Sequence, residues 1–145
     1  MKSTAQNKKA GFTLIELTMV VAILATLASF AIPSLLNARK PANEASAIST
    51  LRSILTVNEQ YRLRFHDYAS SLADLEANNY IDQKLGSGTK AGFAFGYTPA
   101  ASSWSCTADP EVPGQTGDRY FFIDQGGVIR ASTTGTATSL DAPLN

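Results

Sequence analysis

The feature that most constrains this chain is an uncharged stretch that covers residues 17–36, close to the start of the sequence. An α-helix of about 20 residues spans about 30 Å, which matches the hydrocarbon thickness of a bilayer. A secretory signal peptide has a shorter apolar core, of about 7–15 residues, and a small-residue cleavage site behind it. The length of the stretch therefore predicts a helix that crosses a membrane and is kept in the protein.

The charges on either side of this stretch predict its orientation. Lys2, Lys8 and Lys9 precede it, and Arg39 and Lys40 follow it. Basic residues before the first span favour a cytoplasmic N-terminus. The chain has 12 basic and 12 acidic side chains, so loss of the three leading lysines would leave nine against 12, a net charge of −3. Such a balance gives no general indication of nucleic-acid binding, which favours a basic surface.

Glu16 is an acidic residue at the start of the apolar region, between Ile15 and Leu17. A carboxylate inside a membrane segment costs about 2.5–3.5 kcal/mol on insertion scales. One interpretation is that Glu16 marks the interfacial edge of the helix, where the helix dipole favours a negative charge. The other interpretation is that it has a function there.

Residues 11–17, Gly-Phe-Thr-Leu-Ile-Glu-Leu, follow a short basic leader and run directly into the apolar span. This arrangement resembles the prepilin-peptidase recognition site of type IV pilins and type II secretion pseudopilins. The resemblance covers residues 1–40 closely and the rest only in layout. It implies cleavage between Gly11 and Phe12, N-methylation of the new Phe12 amine, and a role for Glu16 in assembly. The implied partners are the prepilin peptidase and methyltransferase, an inner-membrane assembly platform, and copies of the chain or related pilins.

Electrostatics fits the implied role of Glu16. Cleavage would free an α-amine four residues before Glu16, and a buried charge requires a partner. In a staggered bundle, Glu16 of an incoming subunit could meet the Phe12 amine of the subunit before it. Wrong axial registers would leave a charge unpaired in apolar surroundings, so the pairing would specify the register.

Two prolines interrupt the helical pattern. Pro33 removes a backbone hydrogen bond to Ser29 and predicts a kink, which membrane helices tolerate. By resemblance to pilins, the same site is one where the helix bends or melts during filament packing. Pro41 is a second candidate kink or break.

Beyond Pro41 an amphipathic helix of about 20 residues is predicted, because apolar residues recur at helical spacing and polar ones, including Glu44 and Asn58, fall mostly on other faces. The apolar stripe consists of Ala47, Leu51, Ile54, Tyr61 and Phe65, widened by Ile48, Leu55 and Val57.

The sequence from residue 68 onward predicts a small domain built on a β-sheet. Residues 68–85 are predicted to form a connecting loop with one helical turn, for which Ser71 and Asp74 give a capping signal. Alternating apolar residues and intervening turns predict four strands, with a tight hairpin at Gly126 and Gly127 and an extended surface tail over residues 132–145. The predicted strands cover residues 93–97, 102–108, 119–124 and 128–131. The expected fold is α+β: a long N-terminal helix packed on a four-stranded antiparallel sheet.

Candidate chemistry is sparse. Cys106 is the only cysteine, so the disulfide that closes this end of many type IV pilins cannot form, and packing alone is expected to hold it. Cys106 beside Trp104 is interpreted as a buried apolar residue. His66, the only histidine, is interpreted as a solvated feature at a helix end. No catalytic residue, metal site or cofactor is predicted. Four acidic residues around the third predicted strand are interpreted as solvated loop charges rather than a calcium site: Asp109, Glu111, Asp118 and Asp124.

Three functions stay open at this point. The first is a structural pilin, with leader 1–11, membrane and polymerisation helix 12–40, and globular domain 41–145. The second is a pseudopilin of a type II secretion or DNA-uptake system. The third is a membrane-anchored enzyme or binding module, against which the peptidase-like motif argues. The first two predict a single-pass inner-membrane protein that later enters an extracellular pilus or a periplasmic pseudopilus.

Overall fold

The computed structural model describes residues 11–144, and most of the predicted leader lies outside them. One helix, α1, runs over Leu14–Phe65 and contains both predicted halves, the apolar and the amphipathic. The helix assignment continues through Pro33 and Pro41. The predicted alternative of a helix break at Pro41 is wrong, because α1 is continuous there. A bend at either proline stays a prediction.

The chain divides into two compact units, one ending at Leu35 and the other beginning at Leu36. In the first unit, every described residue is exposed. The second unit contains the rest of α1 together with the sheet. Its core joins one face of the helix to the inner face of the sheet.

The part of α1 in the second unit buries the predicted apolar stripe, with two corrections. Phe65 is 42% exposed, so the stripe ends at Tyr61. Glu44 and Asn58 were placed on other faces, but they are only 7% and 0% exposed. Both lie in phase with the stripe, at spacings of three and four residues, and each is buried because it has hydrogen-bond partners on other elements. The residues in phase are Glu44, Ala47, Leu51, Ile54, Asn58 and Tyr61.

Two short helices follow α1. The first, α2, covers Leu72–Ala77, and the Ser71 hydroxyl accepts a hydrogen bond from the Asp74 amide at 3.1 Å, which confirms the predicted cap. The second, α3, covers Gln83–Gly86 and was not predicted. The Asp82 carboxylate caps it, because Oδ1 accepts from the Leu85 amide at 2.8 Å.

The antiparallel sheet has five strands rather than the predicted four, in the spatial order β1-β2-β3-β4-β5. The extra strand is a two-residue edge strand, too short to produce an alternating pattern. Ala91 and Gly92, both at positive φ, connect it to the next strand in a two-residue turn. The strands are β1 (Thr89–Lys90), β2 (Phe93–Ala100), β3 (Ser103–Pro110), β4 (Tyr120–Asp124) and β5 (Arg130–Ser132).

The predicted alternation is confirmed along the central strands. Phe93 and Phe95 of β2 are buried, as are Trp104 and Cys106 of β3. The predicted tight hairpin between β4 and β5 is wrong, because β5 begins only at Arg130 and a five-residue turn separates the strands.

The C-terminal tail is more firmly held than the sequence predicted. The Ala131 amide donates to the Ala142 carbonyl, and the Leu144 amide donates to the Ile129 carbonyl. Ala137 is buried, and Leu144 packs against the core. The tail is therefore attached by backbone hydrogen bonds as well as by packing, although no disulfide is available.

Candidate processing and assembly site

The predicted cleavage point lies in an exposed, non-helical segment. Gly11, Phe12 and Thr13 precede the first residue of α1, and Phe12 is 87% exposed. Among residues 11–144, no atom lies within 4 Å of a Cβ added to Gly11. The bond between Gly11 and Phe12 is thus sterically accessible, whereas a bond inside the helix would have to be unwound before a protease could cleave it.

The first turn of α1 contains a capping box formed by Thr13 and Glu16. Glu16 Oε2 accepts hydrogen bonds from the Thr13 amide at 2.8 Å and from the Thr13 hydroxyl at 2.7 Å. In return, the Glu16 amide donates to Thr13 Oγ1 at 3.3 Å. This reciprocal pattern satisfies amide groups that have no partner inside the helix. The sequence contained the signal, a Thr followed three residues later by Glu, but Thr13 was not singled out.

Glu16 therefore lies at the start of the helix, close to the predicted new N-terminus. Its carboxylate has hydrogen-bond donors, but among residues 11–144 it makes no ion pair. The hydrogen bonds from Thr13 orient the Glu16 carboxylate, which could accept an ion pair from a nearby cation. The assembly role of Glu16 itself stays a prediction.

The apolar half of α1 is long and apolar enough to cross a membrane, and its large side chains point outward around the whole helix. Three of its hydroxyls donate to carbonyl groups of the same helix: Thr18 donates to the Ile15 carbonyl, and Thr26 donates to the Ile23 carbonyl. Ser29 does the same with the Thr26 carbonyl at 2.7 Å. These three hydroxyls therefore need no partner from lipid or from another apolar helix.

The four acidic residues around the third predicted strand do not converge on one site. Asp118 pairs with Lys40 at 3.1 Å, and Asp124 accepts from the Gly126 amide at 2.8 Å, while Glu111 is exposed. The interpretation of Asp109 as a solvated loop charge is wrong. It lies in β3, and burial raises the pKa of its carboxyl. Within residues 11–144, no group of three His, Cys, Asp or Glu side chains could hold a metal ion.

His66 and Cys106 have the environments predicted for them. His66 is exposed directly after α1, at φ 62°, and its amide donates to the Arg62 carbonyl at 2.8 Å. Cys106 is fully buried, and burial raises the pKa of its thiol to about 12. A thiol in such surroundings stays protonated and unreactive at neutral pH.

Comparisons with known proteins agree with this arrangement. A family model described as the prokaryotic N-terminal methylation motif matches residues 6–32, a range that includes Gly11, Phe12 and Glu16. The chain is 34% identical over 130 residues to the type IV wide pilus major component PilA4 of Thermus thermophilus, covering 88% of this chain and 92% of that protein. It is 28% identical over 113 residues to the type IV major pilin protein PilA of Myxococcus xanthus, covering 73% and 46% of the two chains.

A second group of relatives comes from secretion systems. The chain is 32% identical over 73 residues to the type II secretion system core protein G of Escherichia coli, covering 50% of each chain. The alignment therefore spans about half the length of that secretion protein. No solved structure matches the chain. Because the PilA4 alignment covers 88% of this chain at 34% identity, the chain belongs to the family of type IV pilins and type II secretion pseudopilins.

Proposed function

We propose that the chain is the structural subunit of a type IV pilus-like filament. The observation that carries the proposal is the alignment with PilA4, a pilus major component, over 92% of that protein's length. The exposed Gly11–Phe12 bond and the uncovered apolar surface of α1 support it, because a subunit needs both before it can be processed and packed.

Processing begins with hydrolysis of the Gly11–Phe12 bond. Water adds to the Gly11 carbonyl, the C–N bond breaks, and the products are the leader carboxylate and a Phe12 amine. A methyl group from an activated donor then replaces one amine proton. The product amine stays basic, so it keeps the positive charge that Glu16 requires.

Assembly then uses Glu16 and the amine in different subunits. The carboxylate of an incoming subunit is oriented by Thr13, and it approaches the Phe12 amine of the subunit before it. The ion pair forms in apolar surroundings, where an unpaired charge is strongly disfavoured. Only one axial stagger between neighbouring helices satisfies both charges.

The proposed route through the cell follows from the same helix. Before assembly, the subunit is a single-pass protein of the bacterial inner membrane, with its N-terminus in the cytoplasm. During assembly, α1 leaves the lipid and packs against α1 of other subunits. No catalytic step by this chain is required, since the peptidase, the methyltransferase and the assembly platform act on it.

The second candidate function is a pseudopilin of a type II secretion or DNA-uptake system. The matches to core protein G of Escherichia coli and of Vibrio cholerae favour it, the latter 36% identical over 71 residues. In this case the same processing would yield a short periplasmic fibre. A membrane-anchored binding module is the weaker third alternative, because a plain anchor needs neither the cleavage motif nor Glu16.

The experiment compares sheared surface material with the membrane pool of the native host by intact-mass measurement. The expected species begins at Phe12 and carries one additional methyl group. A stable full-length chain in both fractions would contradict the proposal. Fibres labelled on intact cells would favour the pilus, and fibres seen only after the outer membrane is opened would favour the pseudopilus. Genes for a retraction ATPase or for secretion components beside this gene would separate the two functions independently.

A further inference from the structure

A polar clamp joins α1 to the segment before β4. It consists of Lys40, Asn43 and Glu44 on the helix and of residues 116–119 on the segment. Lys40 Nζ lies 3.1 Å from an Asp118 carboxylate oxygen. The Asn43 side-chain amide donates to the Thr116 carbonyl at 3.0 Å.

Glu44 is the buried centre of this clamp. Its Oε1 accepts from the Asp118 amide at 2.9 Å and from the Arg119 amide at 3.2 Å, and its Oε2 accepts from Arg119 Nε at 2.8 Å. Both carboxylate oxygens are therefore occupied, and the residue is almost completely covered. Removal of the Arg119 side chain would leave the buried Glu44 carboxylate without its cation, which is unfavourable.

The segment can approach the helix this closely because residue 117 is a glycine. A Cβ at Gly117 would lie 2.6 Å from Phe93 Cζ and 3.5 Å from Glu44 Cγ. The polar contacts of the clamp are therefore continuous with the packing around Phe93 in the core of the domain.

The clamp lies beside the second proline of α1. Pro41 stands between Lys40 and Asn43, and its missing N–H leaves the Asn37 carbonyl without its helical donor. Every residue from 11 to 39 is exposed, so packing within the part of the chain that the structure describes does not support these residues. A proline in a helix interior therefore weakens the helix locally by the loss of one backbone hydrogen bond.

We propose that the Glu44 clamp holds α1 helical across Pro41 and sets the N-terminal limit of the stably folded domain. Residues 37–39, between the apolar span and the clamp, open locally without loosening the sheet, and residues after Glu44 open only when the domain unfolds. The proposal concerns the free subunit and does not rest on the proposed function. The proposal depends on the hydrogen bonds that both carboxylate oxygens of Glu44 accept, three residues after Pro41.

The test is residue-resolved amide hydrogen exchange on the full chain in detergent micelles. In the wild type, we expect a step in exchange rate, fast over residues 37–39 and at least about tenfold slower from Glu44 onward. In Glu44→Gln, the step should move toward Leu51, while residues 51–61 keep their protection. The matched control is Glu59→Gln, which removes an acid of the same helix that pairs with Arg62 at 3.1 Å and should leave the step in place.

A second variant separates the clamp from general stability. Pro41→Ala restores the missing backbone donor, so Glu44→Gln combined with Pro41→Ala should recover slow exchange over residues 42–50. If Glu44→Gln unfolds, Arg119→Met removes one donor of three and should move the same step by a smaller amount. An unmoved step in Glu44→Gln, a uniform loss of protection that includes residues 51–61, or no recovery with Pro41→Ala would overturn the proposal.

Discussion

The two units of this chain use apolar residues in opposite ways. In the first unit, the apolar side chains of α1 point outward, and Phe30 is 80% exposed. In the second, apolar side chains of similar type form a closed core, and Phe93 is 0% exposed. Exposed apolar surface of this extent marks a membrane or protein contact. The second unit therefore buries its own apolar side chains, whereas the apolar side chains of the first unit require lipid or other subunits.

The largest effect is expected from Glu16 in the first unit. Glu16→Ala removes a charge whose insertion costs a few kcal/mol, so membrane insertion should be at least as efficient as in the wild type. The Phe12 amine of a neighbouring subunit loses its counter-charge, so fibres should be lost or sharply reduced. The measurement is the yield of sheared fibres against the membrane pool of cleaved protein.

Glu16→Gln distinguishes the charge from the helix cap. Glutamine can still accept from Thr13 in a capping box, but it carries no charge. We expect an intermediate fibre yield at best. Wild-type fibre yield from Glu16→Ala would refute the register mechanism, and wild-type yield from Glu16→Gln alone would assign the effect to the cap.

Features with a local signal were predictable from the sequence. The helices α1 and α2 and the alternation in β2 and β3 each depend on residues that are close in sequence. The burial of Glu44 and Asn58 was not predictable in this way. Their partners Arg119 and Tyr97 lie 75 and 39 residues further along the chain, so only the fold brings them together.

Some elements were missed because their signal is too short or too weak. β1 has two residues, and no pattern of period two can be recognised in so short a segment. The tail contains polar Ser and Thr residues, which indicate exposure, but its backbone groups pair with residues 129–131. Thr13 differs, because its capping signal was present in the sequence and was overlooked beside the cleavage motif.

The reactivity of Cys106 tests whether the core of the second unit excludes solvent and small reagents. Burial raises the pKa of its thiol to about 12, so the thiolate fraction at pH 7.5 is very small. We expect alkylation of the native protein to be at least about a hundredfold slower than alkylation of the denatured protein. The measurement is the rate of iodoacetamide labelling with and without denaturant. Labelling of native protein at the denatured rate would mean that the core is open.

Asn58 tests how much a buried polar residue contributes to the core of the second unit. Its Oδ1 lies 2.9 Å from the Tyr97 hydroxyl, and its Nδ2 donates to the Ile54 carbonyl at 3.1 Å. Asn58→Ala should lower the free energy of unfolding by about 2–4 kcal/mol, because it creates a cavity and breaks a buried hydrogen bond. Processing at Gly11 should be unchanged, since that site lies in the first unit.

The measurement for Asn58 is denaturant unfolding in micelles, with Gln60→Ala as the control at an exposed position of the same helix. Tyr97→Phe should cost about 1–3 kcal/mol, and the double variant should cost less than the sum of the two single variants. Additive costs would show that the two side chains do not act as a pair.

The smallest expected effect concerns Asp109 in β3. Burial raises the pKa of its carboxyl above the ordinary value of 3.8, although Thr136 donates to it at 3.2 Å. The unfolded chain therefore loses this proton first, and the contribution of Asp109 to stability decreases as pH rises from about 4 through the folded pKa. Asp109→Asn cannot ionise, so we expect it to raise Tm by about 2 °C at pH 7 and by nothing at pH 3.

Asp82 gives the matched control, because its pKa is shifted in the opposite direction. The Lys90 ammonium, 2.8 Å away, lowers the pKa of this carboxyl, so its contribution is present at neutral pH and is lost as pH falls through the folded pKa. Asp82→Asn should therefore leave Tm unchanged or lower at pH 7, where Asp109→Asn raises it. The measurement is thermal unfolding of each variant in micelles at both pH values. A Tm gain from Asp109→Asn that is equal at pH 3 and pH 7 would show that the ionisation of Asp109 does not cause the gain.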